Sequence, residues 1–296
     1  MLNVYEQIDR NRRRSSMIIV LFIIFVTLSS WGISQAMDGS GIEIIIALFF
    51  AVIITLFSYF QGDKMALVLA KAHPIRREEE FNLYTVVENL SIAAQIPTPK
   101  IYLCEDSALN AFATGRDPDH ASICITRGLL EKLNRNELAG VIGHEMSHIK
   151  NYDTRLFIIV AILIGSLAIL SRFFLRSRRW GNNQREKTGS FLLLFGLIIA
   201  ILSPIISQLI KLAISRKREY LADSGSAMLT RQPSGLIGAL EKISQNTQPL
   251  RTANNAMAHF YIANPFKTNG HVRGLAKLFN THPPIEERIK ELRKMI

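Results

Sequence analysis

Four apolar runs constrain this chain more than any other feature: Met17 to about Ile33, Ile44 to Phe60, residues 156 to 171, and Phe191 to Ile214. About 20 apolar residues make a helix long enough to cross the hydrocarbon of a bilayer. With 48% hydrophobic residues and a positive mean hydropathy, the chain is too apolar to be wholly soluble. The net charge of +11 clusters beside these runs, at Arg10, Arg12, Arg13 and Arg14, at Lys64, Lys71, Arg76 and Arg77, and at Arg216, Lys217 and Arg218. Such charge suits the cytoplasmic side of a bilayer carrying anionic lipids, and no motif points to nucleic acid. Two cysteines, Cys104 and Cys124, make no disulfide framework and read as small buried residues in a reducing compartment.

The expected organisation follows from the runs. Residues 1–60 form an N-terminal transmembrane hairpin, entered by an uncleaved signal anchor with its N-terminus in the cytoplasm. Residues 61–155 are soluble. They carry a helical pattern over 76–95 (Phe81, Tyr84, Val87, Leu90), closed by Pro97 and Pro99, and three short strands at Lys100 to Cys104, Asn110 to Thr114 and Ser122 to Thr126. Residues 156–214 form a second hairpin around a strongly basic loop, either two full spans or a shallow re-entrant pair. Residues 215–296 are soluble and helical. The fold class is mainly α with a small β-sheet, in a multi-pass transmembrane protein. The isolated histidines His73 and His120 are read as solvated, and His259 and His271 as helix caps or surface residues.

Within the soluble part stands His144-Glu145-Met146-Ser147-His148. Asn134 or Asn136 can cap a helix there, Glu137 suits its first turn, and Leu138, Val141, Ile142, Met146 and Ile149 recur at helical spacing. Positions i and i+4 share one helix face, so both imidazoles project together, lining a cleft beside the apolar stripe. Two neutral nitrogen ligands with a carboxylate next to them are what hydrolytic zinc chemistry needs: Glu145 takes the proton of the attacking water. The extended motif with a third histidine is closed, because Asn151 and Thr154 stand where it needs Gly and His.

The second hairpin supplies a third ligand instead. His148 lies about 12 Å of helix before the third run and Glu219 about 7 Å beyond the fourth, so the chain returns Glu219 to the depth of the histidines. Glu219 is therefore the favoured third ligand of one zinc ion. Asp223, at i+4, is placed to accept the free N–H of a ligating histidine. The Asn110, Ala111 and Phe112 strand is the expected edge along which an extended substrate lies. His282 is assigned to the oxyanion, or to capping the metal in a resting form. Two rivals stand beside this reading. An intramembrane protease would bury the motif in an apolar span, whereas Asn136, Glu137, Lys150 and Asn151 flank it here. A non-proteolytic scaffold or channel would close a structural zinc site with four protein ligands and no adjacent base.

Beyond the metal residues, Asn110-Ala111-Phe112-Ala113-Thr114-Gly115, the His144 to His148 motif, Ser215-Arg216 leading to Glu219-Tyr220-Leu221-Ala222-Asp223, and Thr281-His282-Pro283-Pro284 stand in one order and spacing. In these the chain resembles the HtpX-type membrane zinc metalloproteases, within the wider group that includes the CAAX prenyl proteases. The resemblance covers nearly the whole chain. It implies an ATP-independent, zincin-type endopeptidase of the bacterial inner membrane, with its active site facing the cytosol, that clears damaged membrane proteins under stress.

Overall fold

A computed structural model of the protein describes residues 4–36, 40–161, 215–253, 257–265 and 283–296. Two long helices, α1 (Val4–Ala36) and α2 (Ile42–Leu69), come first. They are followed by strand β1 (Ala72–Pro74), α3 (Phe81–Ala94), β2 (Lys100–Cys104), β3 (Ala111–Thr114), β4 (Ser122–Thr126), α4 (Arg127–Lys132) and α5 (Arg135–Lys150). A helical stretch over 153–161 follows α5 after a turn at Asn151 and Tyr152. Beyond residue 214 come α6 (Arg216–Thr230), α7 (Pro233–Gln245) and α8 (Ile285–Arg293).

The three expected strands form within a residue of their predicted bounds, joined by the short β1. The sheet is mixed, in the order β1-β2-β4-β3, with β2 and β4 parallel and the outer pairs antiparallel. Both faces are buried, which is why these strands read as nearly unbroken apolar runs. Leu103, Ile123 and Ile125 face one core with Val87 and Leu90 of α3 and with Val141, Ile142 and Met146 of α5. Cys104, Cys124 and Phe112 face the other, with Ile18 of α1, Leu67 of α2, Phe157, Phe260 and Tyr261. Each such aliphatic or aromatic side chain contributes about 1.5–3 kcal/mol by leaving water. Both cysteines are buried and free. Phe81, expected on the apolar stripe of α3, is exposed instead, because it starts the helix beyond the edge of the core.

The metal helix α5 is fixed at its start. Asn134 accepts from the Glu137 N–H, and the Glu137 side chain accepts from the Asn134 N–H, a reciprocal capping box. Lys242 of α7 then reaches Glu137 at 2.6 Å. Further along, a Cβ on Gly140 would sit 2.5 Å from the Leu236 backbone nitrogen, so only glycine lets α5 and α7 touch this closely.

The first two apolar runs, expected to form a transmembrane hairpin, fall on α1 and α2. Among the described residues no single helix is long and apolar enough to cross a membrane; the stretches Ile44–Phe57 and Tyr59–Leu69, bent by 65° at residue 58, pass that test only as a pair. The helix also continues past residue 60, since nothing in Gln61 to Leu69 breaks it. Large apolar side chains remain exposed along α1 and α2, among them Leu21, Ile24, Trp31, Phe49, Phe50 and Phe57. Most of the second hairpin, residues 162–214, lies outside the described residues.

Candidate metal centre

On α5 the imidazoles of His144 and His148 stand perpendicular, with ring centroids 4.7 Å apart and their Nε2 atoms 3.2 Å apart. Opposite them, α6 presents Glu219. One carboxylate oxygen lies 3.8 Å from His144 Nε2, and the other lies 3.6 Å from His148 Nε2. These three residues form the group whose ligand atoms converge. The spacing argument thus brought Glu219 to the correct place. Among the described residues the expected cleft is closed: His144, His148, Glu145 and Glu219 are all at most 4% exposed, because α6 and α8 cover the face that the α5 stripe left free.

Each histidine is oriented from behind by an aspartate. His144 Nδ1 lies 2.9 Å from Asp223, the residue expected to fix it, and His148 Nδ1 lies 3.1 Å from Asp153. An ionised carboxylate only accepts, so Nδ1 carries a hydrogen in both rings and the two Nε2 atoms are left facing Glu219. Arginines back the aspartates. Arg288 of α8 holds Asp223 in a fork, with Nε and Nη2 at 2.9 and 2.6 Å, and its Nη1 lies 3.6 Å from Glu219. Arg218 donates one bond of 3.0 Å to Asp153.

Burial and charge divide the titrations. Burial, with Arg288 alongside, lowers His144 to about 4. Burial also acts against a charged His148, but the Asp153 hydrogen bond and the Glu219 charge outweigh it and raise the ring to about 9. Burial raises Glu145 to about 7, and the Glu219 charge adds to this, against a hydrogen bond from the Ala113 backbone. Asp223 is held well below the carboxylate range, where Arg288 and His144 overcome the desolvation that would raise it.

The donor set can be tested against a metal ion. A tetrahedral ion with bonds of about 2.0–2.1 Å spaces its donors roughly 3.3 Å apart, close to the separations found here. Without an ion, the 3.2 Å between the two Nε2 atoms is spanned by one proton, carried on His148, and a divalent cation would take that proton's place. Glu145 Oε1 is buried without a hydrogen-bond partner among the described residues. The residues fit a divalent ion with a free carboxylate beside it.

The strand expected to receive substrate is already engaged. The Ile262 N–H donates to Ala111 O at 3.0 Å, and the Asn110 carboxamide donates to Ala263 O at 3.1 Å. Phe112 is buried against Phe260 and Tyr261. Residues 257–263 therefore cover the outer edge of β3 in this state, a contact no local pattern signals. His259 belongs to the same stretch and is buried, with Nε2 donating to Phe157 O at 2.9 Å, which corrects its reading as a helix cap or surface residue. His73 and His120 are exposed as expected. His271 and His282 lie outside the described residues.

Asp153, Arg218 and Arg288 were missed. Arg218 sat in the charged run Arg216-Lys217-Arg218-Glu219, and Arg288 on a helix that otherwise looks solvated, yet they are 7% and 0% exposed. The one available signal was that Arg288 falls on the same stripe as Ile285, Ile289 and Leu292.

Peptidase family M48 matches residues 77–296 of the chain. The chain is 44% identical over 291 residues to a protease HtpX homolog of Dictyoglomus turgidum, covering 98% of this chain and 94% of that protein. It is 45% identical over 306 aligned positions to a protease HtpX homolog of Caldanaerobacter subterraneus subsp. tengcongensis, covering 99% and 98%. Among solved structures, the crystal structure of S. mikatae Ste24p is similar in fold, with a TM-score of 0.50 at 19% identity, covering 94% of this chain and 62% of that one.

Proposed function

We propose that this chain, which belongs to peptidase family M48 and is a metalloprotease of the HtpX type, is a zinc endopeptidase of the bacterial inner membrane. In this reading it cuts misfolded or damaged membrane proteins at the cytosolic face. Membership of a peptidase family sets aside the non-proteolytic scaffold. The observation that carries the reading is the convergence of the two Nε2 atoms and the Glu219 carboxylate next to an oxygen of Glu145 that is buried without a hydrogen-bond partner among the described residues.

His144, His148 and Glu219 would hold the ion. Zinc bound there supplies Lewis acidity, lowering the pKa of water to about 7 and polarising the peptide carbonyl. Glu145, with its carboxyl raised to about 7, takes the proton of the attacking water and returns it to the leaving amine. Asp223 and Asp153 keep the imidazoles in the ligating tautomer throughout. A substrate strand would add to the β3 edge once residues 257–263 withdraw from Ala111 and Asn110. The exposed apolar side chains of α1 and α2 support attachment to a bilayer. Arg10, Arg13 and Arg14 border a recess of about 350 Å³ with Asp9 and Met17, which suits anionic headgroups and a cytosolic orientation.

The test is Glu145→Gln in the full-length protein, scored for zinc content and for cleavage of casein and of a membrane protein. Zinc is expected to stay while cleavage falls by at least about a hundredfold. Undiminished cleavage overturns the assignment.

A further inference from the structure

We propose that Asn11, on the N-terminal helix, is a positioning residue of the metal centre, holding Asp153 in the place from which Asp153 orients His148.

Asn11 lies 142 residues from Asp153 in sequence, yet its Nδ2 is 2.8 Å from Asp153 Oδ1 and 2.8 Å from the backbone oxygen of Asn151. One amide group has two hydrogens, so both contacts are made at once. Asp153 is thereby filled on both sides. Oδ1 accepts from Asn11 and Arg218, and Oδ2 accepts from His148. Asn11 is 6% exposed, so an unmade bond there is not replaced by water.

The corner it grips, Asn151 to Asp153, ends the metal helix. Tyr152 at its centre has φ 59°, a left-handed conformation that a bulky residue keeps only when its surroundings enforce it. Arg12, the neighbour of Asn11, supplies a second hold: its Nη2 donates to the Tyr152 hydroxyl at 2.6 Å and its guanidinium lies 4.3 Å from the ring centroid. The contact is not accidental along α1, because Asn11, Ser15 and Ile18 form one buried stripe at helical spacing facing the catalytic part. The helix expected to serve only as an anchor therefore also supplies a group behind a metal ligand, and the metal's affinity depends on the Asn11 amide it carries.

The inference rests on the metal reading above, and its test separates the two. Full-length protein in detergent is stripped and reloaded with zinc against a competing chelator, or with cobalt for its ligand-field spectrum. Wild type is compared with Asn11→Leu, which keeps the branched shape and removes both donors, with Asn11→Ser, a milder change, and with Ile18→Ala, which loosens the same stripe away from Asp153. Asn11→Leu should weaken zinc binding about tenfold or more and shift the cobalt bands. Asn11→Ser should fall between, and Ile18→Ala should lower thermal stability while leaving zinc affinity within about twofold. Unaltered zinc affinity and cobalt spectrum in both Asn11 variants overturns the proposal. So does an equal loss in Ile18→Ala, which would make general docking the cause. Wild-type protein that takes up no zinc overturns both readings.

Discussion

The two histidines of the proposed metal centre are held by arms of the same design and different construction. Behind His144 stand Asp223 and then Arg288; behind His148 stand Asp153 and then Arg218. The first arm is built wholly from α6 and α8, and its arginine grips Asp223 with two nitrogens while also bonding Ile262 O at 3.1 Å and facing Glu219. The second uses one nitrogen of its arginine and draws its remaining bond from α1. A fork of two parallel bonds fixes direction as well as distance, whereas a single bond can pivot. One ligand is thus locked to the C-terminal helices, and the other is adjustable through the N-terminal helix.

The largest effect is expected from cutting the locked arm. Arg288→Ala strands the Asp223 and Glu219 carboxylates in a fully buried place and should cost about 3–5 kcal/mol. Arg218→Ala should cost less, since Asp153 keeps Asn11. Thermal unfolding of the two variants checks this, and equal losses would erase the distinction between the arms. Next come the aspartates. Asp153→Asn and Asp223→Asn should each weaken zinc about 10–100-fold in chelator competition, with Asp223→Asn the weaker binder because it breaks a two-nitrogen fork rather than a single bond. The reverse order would place the greater load on the α1 side. The smallest effect belongs to a site outside both arms: Asn134→Ala removes the cap of α5 and should cost about 1 kcal/mol in unfolding free energy. Its zinc affinity should match wild type, and a fall would show that the start of α5 is coupled to the ligands at its far end.

Much of this architecture is legible from the order of residues. The motif at His144 and His148, the cap at Asn134 and the strands ending at Cys104, Thr114 and Thr126 are local patterns, with partners a few residues apart. Glu219 and Asp223 are reachable because a hairpin must bring the chain back and because i and i+4 share a face. Asp153, Arg218, Arg288 and Asn11 are polar residues in polar surroundings of the sequence, where solvation is the natural reading. Periodicity states which face of a helix a residue occupies and says nothing of what will cover it; the covering elements here lie 65 and 142 residues away. The edge of β3 failed as an open surface for the same reason, since Ile262 reaches Ala111 from across the chain.

That occupied edge changes what recognition along it can consist of. Any polypeptide that takes the place of residues 257–263 must first release a main-chain bond to Ala111 and the bonds of the Asn110 carboxamide, so the pairing it gains there yields little net affinity. Preference among incoming chains then rests on their side chains, and on how little order each must surrender to lie straight.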